Sequence, residues 1–213
     1  MAPIIEVSDD VLKGLDQLSI PYKIKQTKAD SSKSNSNEYF EVPSLKGLRV
    51  AKQLSFLGND WNESHKALQS QGQRMLTLPE FGEVLKYTQK ELPEVYNDIT
   101  EVRNPWRAEW IDAFFEQRKD GMYVLTGNKS KAEKLKPCLM EDSRISLDNY
   151  VQDSHTKQGM PSKKVQSGDL YFWAPRNGTV ARFLASGDRA GLNCGGYPSG
   201  GDSNLGVRTV KIA

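Results

Sequence analysis

Long apolar runs are missing from this chain of 213 residues. None approaches the roughly 18 residues that would cross a bilayer as a helix. The opening "MAPIIEVSDD" lacks a basic n-region and turns acidic at once, so no secretory signal peptide is expected. Synthesis in the cytosol follows, with the final site (cell interior, surface or virion) left open. Charge of one sign is also missing. The 29 basic residues against 27 acidic ones leave +2, which gives no sign of a nucleic-acid partner or membrane insertion. With two cysteines and two histidines, a Cys/His zinc site of ordinary spacing is excluded, and no metal or cofactor is expected. Cys138 and Cys194 read as separate thiols, Cys194 buried, with their pairing left open. No phosphate loop, GxGxxG fingerprint or GxSxG elbow occurs. His65 and His155 lie in polar contexts and read as surface residues. No catalytic constellation emerges, so a binding protein is expected rather than an enzyme.

What is present reads as α+β. Residues 1–25 form a strand-like run, "IIEV", and a Ser8-capped helix, "SDDVLKGLDQLS". Residues 26–38 are polar and rich in Ser and Asn, and read as a linker or exposed loop. A domain from 39 to 213 follows. "EYFEV" and "GLRVAKQLSF" read as strands. "TLPEFGEVLKYTQKEL" reads as a helix, with a Thr77–Glu80 capping box, Pro79 in the first turn and Phe81, Val84, Leu85 and Thr88 on one face. "NPWRAEWIDAFFEQRKDG" reads as a second helix, because Trp106, Trp110, Ala113, Phe114 and Gln117 recur at helical spacing between Asn104 and Gly121. "NDWN" reads as a turn leading to a core Trp61. "MYVLTG" is a strand, and the lysine-rich "NKSKAEKLKP" a solvated loop. "DLYFWAP" and "TVARF" read as a hairpin closed by Asn177-Gly178. Two helices on a small antiparallel sheet with long loops is the expected architecture.

The stretch from Leu184 to Asn204 is unusual in what it omits. It contains no Lys, Glu, Gln, Met or Trp, and every residue type in it can be written with a codon ending in C or T. Within it, Ala190, Leu192 and Cys194 alternate with Arg189, Gly191, Asn193 and Gly195, so one set faces inward and the other outward if the segment is a strand. The outward set has no packing logic of its own, since glycine contributes no cross-strand contact.

Four segments, "RMLTLPEF", "NPWRAEWIDAFF", "GDLYFWAPRNGTVARF" and "NLGVRTVKIA", together with that omission, resemble the variable proteins of diversity-generating retroelements of the archaeal or archaeal-virus kind. The resemblance covers most of the chain from about Tyr39 onward. It implies a C-type-lectin-like fold. It also implies a C-terminal region, about 182–208, that adenine-directed reverse transcription rewrites so that its outward positions bind changing targets, expected to be proteins. The variable role falls on Leu184, Gly187, Arg189, Gly191, Asn193, Gly195, Gly196, Tyr197, Gly200, Gly201, Ser203 and Asn204. The framework role falls on Phe183, Ala190, Leu192, Cys194, Leu205, Val207 and Arg208. The oligomeric state is open, a monomer being the default. Two other readings share the fold: a fixed structural or surface component of a virus or cell, and an oxidase of the formylglycine-generating type. The oxidase pattern requires two cysteines near the C-terminus as copper ligands, and only Cys194 lies there. The triplets of calcium-dependent sugar lectins are absent.

Overall fold

The structure, a computed structural model, describes residues 38–152 and 155–212, all belonging to the unit Asn35–Ala213. The expected strand–helix segment at 1–25 and all but the last residue of the expected linker at 26–38 lie outside the described residues. The described residues form eleven strands: β1 (Tyr39–Glu41), β2 (Leu48–Ser55), β3 (Gln73–Arg74), β4 (Arg107–Arg118), β5 (Gly121–Thr126), β6 (Lys131–Lys134), β7 (Ser143–Ile145), β8 (Leu170–Trp173), β9 (Val180–Ala185), β10 (Ala190–Gly196) and β11 (Leu205–Ile212). Four helices accompany them among the described residues: α1 (Trp61–Gln69), α2 (Leu78–Glu91), α3 (Pro93–Thr100) and α4 (Leu147–Gln152). The class is α+β, but the sheet is neither small nor purely antiparallel. Its order is β1-β2-β11-β4-β9-β10-β8-β7, with β3 added on β11 and β5–β6 on β4. The pairs β11–β4 and β10–β8 are parallel. No helix among the described residues is long and apolar enough to cross a membrane.

Helix α2 follows from its sequence signals. Glu80 Oε2 accepts the Thr77 N–H at 2.9 Å, and Pro79 sits in the first turn. Phe81, Val84, Leu85 and Thr88 are all buried. Burial pushes the Glu80 carboxyl up, yet the two-pronged hydrogen bond from Arg74, at 2.7 Å on each oxygen, holds it below its ordinary value. Helix α1 replaces the expected turn at "NDWN". Asp60 Oδ1 accepts the Glu63 N–H at 2.8 Å and Glu63 Oε2 accepts the Asp60 N–H at 3.1 Å, a capping box that starts the helix one residue before Trp61.

The second expected helix is strand β4. A central strand is covered on both faces, so its residues are apolar almost without alternation, and a short run of that kind carries no period of its own. Trp110 enters the cluster around Trp61, Leu68 and Leu205, while Ile111, Ala113 and Phe115 enter the larger cluster beneath α2, α3 and α4. Trp110 and Phe114, four residues apart, share one face as the period of two requires, and the pairing with β9 shifts register between them. The expected β8–β9 hairpin is also corrected. Asn177-Gly178 does form a turn, with Gly178 at φ +79°, but β10 lies between the two strands and pairs with each. Part of the lysine-rich loop is strand β6, exposed throughout and paired with β5.

One ionic joint ties these pieces together. Arg208 of β11 is 1% exposed. Its Nε donates to Glu109 Oε2 of β4 at 3.0 Å, its Nη1 to the carbonyls of Ala51 and Lys52 in β2, and its Nη2 to Asp98 Oδ2 of α3 at 3.3 Å. Burial pushes the Asp98 carboxyl up, but Arg107 and then Arg208 hold it below the usual carboxylate range.

Two predictions follow from this joint. Glu109→Ala leaves a buried guanidinium without its main partner and should cost about 3–5 kcal/mol in chemical denaturation. Glu141→Ala, in an exposed pair with Lys164, should change stability by about 0.5 kcal/mol or less. The second prediction concerns Asp98. Its folded pKa is depressed, so its contribution is fully present above the unfolded value near 3.9 and is lost as pH falls through the lower folded value. The stability gap between wild type and Asp98→Asn should therefore be flat above about pH 5 and close below about pH 4. A gap that persists unchanged into acid would show that the carboxylate's charge is not what stabilises the joint.

Candidate functional site

Strand β10 divides its residues as alternation requires. Ala190, Leu192 and Cys194 enter the core with Leu170 and Phe172 of β8 and Phe183 of β9. Gly191, Asn193 and Gly195 therefore lie on the opposite face. There Gly191 is in register with Tyr171 and Leu184, and Asn193 with Trp173 and Arg182. This face has an aromatic and cationic floor, to which Arg144, Tyr171 and Trp173 come from outside the stretch and Arg189 from within it. Tyr171 and Trp173 stack with centroids 5.6 Å apart and planes 26° apart. The guanidinium carbons of Arg144 and Arg189 lie 4.3 and 4.7 Å from the Tyr171 centroid, within cation–π range. Arg144 also donates to the Tyr171 hydroxyl at 2.5 Å. Arg189 is paired with Asp188, whose carboxyl is pulled down to about 2 by the hydrogen bond from Arg189 and a second one from Ser186. Arg182 lies 5.9 Å from the Trp110 centroid; burial lowers its pKa, and the charge of Asp202 opposes that.

The twelve residues expected to vary fall into three groups. Gly187, Tyr197, Gly200, Gly201 and Ser203 are exposed, Tyr197 at 76%. Leu184, Arg189, Asn193, Gly195 and Asn204 are half-buried. Gly191 and Gly196 are buried, contrary to the expectation that they meet solvent. A Cβ on Gly191 would lie 2.4 Å from Cζ3 of Trp173, because that ring lies across it. A Cβ on Gly196 would approach the Val180 carbonyl at 3.1 Å. The seven framework residues, Phe183, Ala190, Leu192, Cys194, Leu205, Val207 and Arg208, are all buried.

Between β10 and β11 the loop is tied down at its ends. The Pro198 carbonyl accepts the Trp61 N–H at 3.0 Å, and the Asn204 carbonyl accepts the Ala108 N–H at 3.0 Å. Gly201 packs so closely on residue 58 that a Cβ would lie 2.8 Å from the Gly58 carbonyl oxygen. Asp202 caps the turn into β11 through the Asn204 N–H at 2.8 Å. The loop's backbone is thus held by the framework, while the side chains of Tyr197 and Ser203 are exposed.

The histidines depart from the surface reading. His65 is 3% exposed, packs edge-on against Trp61 with centroids 4.1 Å apart, and has Nε2 at 3.3 Å from Asp112 Oδ1. His155 is half-buried, with Nδ1 2.6 Å from the Tyr150 carbonyl. Both cysteines are free thiols. Burial raises the pKa of each, most strongly for Cys194. Among the described residues no group of three His, Cys, Asp or Glu gathers to hold a metal. The fixed floor of Arg144, Tyr171 and Trp173 was not singled out from sequence, although the alternation of "LYFW" carries the signal for the two rings.

No family model, no curated protein and no solved structure matches this chain.

The glycines generate a prediction. Gly187 has open space where its Cβ would be, and Gly195 only ordinary contacts at 3.5 Å. Gly187→Tyr and Gly195→Ser should each change stability by about 0.5 kcal/mol or less. Gly201→Ala presses on backbone and should cost on the order of 1–3 kcal/mol. Equal midpoints for all three variants in urea would contradict this packing.

Proposed function

We propose that this chain is a ligand-binding protein with a C-type-lectin-like fold, whose surface between Leu184 and Asn204 is diversified by adenine-directed reverse transcription, and which binds protein targets without catalysing a reaction. The observation that carries the reading is the division of labour within one stretch. Its inward residues, Ala190, Leu192 and Cys194, are core, while its outward residues and the loop that follows project from an anchored backbone. The omission of Lys, Glu, Gln, Met and Trp from the same stretch is the coding signature that such rewriting leaves. The two observations differ in kind, one being of packing and the other of coding, although packing also keeps Gly191, Gly196 and Gly201 small.

A surface ordered before contact loses little entropy on binding. Here a sheet backs the strand residues and hydrogen bonds hold the loop. The version in hand is mostly glycine and serine at the outward positions, with Tyr197 as its single aromatic in the stretch. Hot spots are built from Tyr, Trp and Arg, so this version is a weak binder of arbitrary targets.

A display library randomised at the twelve positions tests the proposal. Binders to unrelated proteins should emerge, with Tyr enriched at Gly187, Gly195, Gly200 and Ser203, because Tyr adds large and rigid contact area. Gly191, Gly196 and Gly201 should return as Gly or another small residue, for the packing reasons given above. If every clone folds and none binds, the fixed structural component becomes the better reading.

A further inference from the structure

A cleft of about 460 Å³ opens beside the end of the variable loop, between the end of β2, the segment joining α3 to β4, and Ser203. That volume falls within the roughly 300–1,000 Å³ of small-ligand sites. Its apolar side is Leu54, Leu57 and Trp106, with Leu57 57% exposed, and Gln53 and Asn204 add polar groups to the lining. Its charged wall is Asp98, Arg103 and Arg107, two guanidiniums against one carboxylate.

The charges are unevenly satisfied. Asp98 serves three cations at once, since Arg208 reaches it from the core while Arg103 and Arg107 reach it from the cleft side. Arg103 is turned largely toward protein, since its Nη2 donates to the carbonyls of Asn97 and Asp98 at 3.1 Å, its Nε donates to that of Glu101 at 3.3 Å, and its Nη1 lies 3.6 Å from Asp98 Oδ1. Arg107 is not. Among the described residues its hydrogen bond is the one from Nη1 to Asp98. A guanidinium carries five N–H donors in a rigid fork. The Arg107 side chain is 19% exposed and lines the cleft, so its remaining donors, without protein partners among the described residues, are open to whatever occupies the cleft. A largely buried cation with unmet donors, facing a cleft with an excess of positive charge, fits an anion.

We propose that this cleft binds an organic carboxylate with an apolar body, the carboxylate on the free edge of Arg107 and the hydrocarbon against Leu54, Leu57 and Trp106. The planar fork matches two carboxylate oxygens. A phosphate would bring more negative charge beside Asp98 and leave the apolar wall unused. The same chemistry is offered by a small aliphatic acid and by the C-terminal residue of a peptide. The site is built from residues outside the diversified stretch apart from its rim at Ser203 and Asn204, so it stands independently of the function proposed above.

Calorimetry on the full chain tests it, with three probes: 4-methylpentanoate, a short peptide ending in a leucine carboxylate, and the same peptide as its C-terminal amide. The acid, the free-carboxylate peptide, or both should bind, and the amide should bind at least about tenfold more weakly, as expected for loss of a charged hydrogen bond. Binding of the small acid alone assigns a free metabolite as the source; binding of the peptide assigns a chain end. Arg107→Gln should weaken binding by about tenfold or more. Because that residue also contacts Asp98, Leu57 supplies a second test at an exposed position: Leu57→Asp should weaken binding and Leu57→Lys should strengthen it. The proposal is overturned if no probe binds at about 1 mM, if the amide binds as well as the acid, or if Leu57→Asp binds as tightly as wild type.

Discussion

The buried guanidinium of Arg208 is the constraint on which the rest of the architecture depends. A charge taken out of water is costly unless its partners are in place, and the cost of leaving it unpaired exceeds what the pair contributes when formed. Arg208 meets Glu109 from β4, Asp98 from α3 and two carbonyls from β2. These elements are distant in sequence, and their arrangement supplies four hydrogen bonds to the one guanidinium. The joint therefore selects the register of β11 against β2 and β4 as much as it stabilises it. The loop between Gly196 and Leu205 depends on that register, because it is suspended between β10 and the start of β11.

The two faces of the sheet are used differently. One is filled by α2, α3 and α4 over Phe81, Phe115, Phe172 and Phe183. Among the described residues the other is filled where α1 lays Trp61 and Leu68 over Trp110 and Leu205. Beyond α1, the strands β8–β10 show that second face to the outside, with Trp173 folded down over Gly191 in place of a helix. The proposed binding surface is thus the portion of the sheet over which the described residues place no helix.

Much of this was legible in the residues. Helix α2 announced itself by Thr77, Pro79 and Glu80, and the inward half of β10 by strict alternation. Helix α1 was not legible, because its buried face carries Ser64 and His65 between Trp61 and Leu68, and two polar residues erase the apolar period. Strand β4 was misread because burial on both faces removes the alternation that distinguishes a strand. Asn177-Gly178 signalled a turn correctly, but a turn does not name the strand that will lie beside the one it follows. At the site, glycine was the difficulty. A residue without a side chain says nothing about which neighbour crosses over it, so Trp173 above Gly191 and the Gly58 carbonyl beside Gly201 were visible only in three dimensions. The cleft at Arg107 was hidden for a related reason. Its walls come from three separated segments, none of which carries a motif.

The position of β11 in the sheet has a consequence in time. It is the latest of the described strands to be synthesised, yet it lies between β2 and β4, pairing Val207 with Ser55 across about 150 residues of chain and Leu205 with Ala108. Contacts that span so much sequence form late, because the loop must close before the pairing rewards it. Until β11 emerges from the ribosome, β2 and β4 each present an edge without its eventual neighbour. The nascent chain therefore passes through an interval in which open strand edges could recruit other molecules. Its shield in that interval is what those edges carry, and Arg49, Lys52, Arg107 and Glu109 put charge along both.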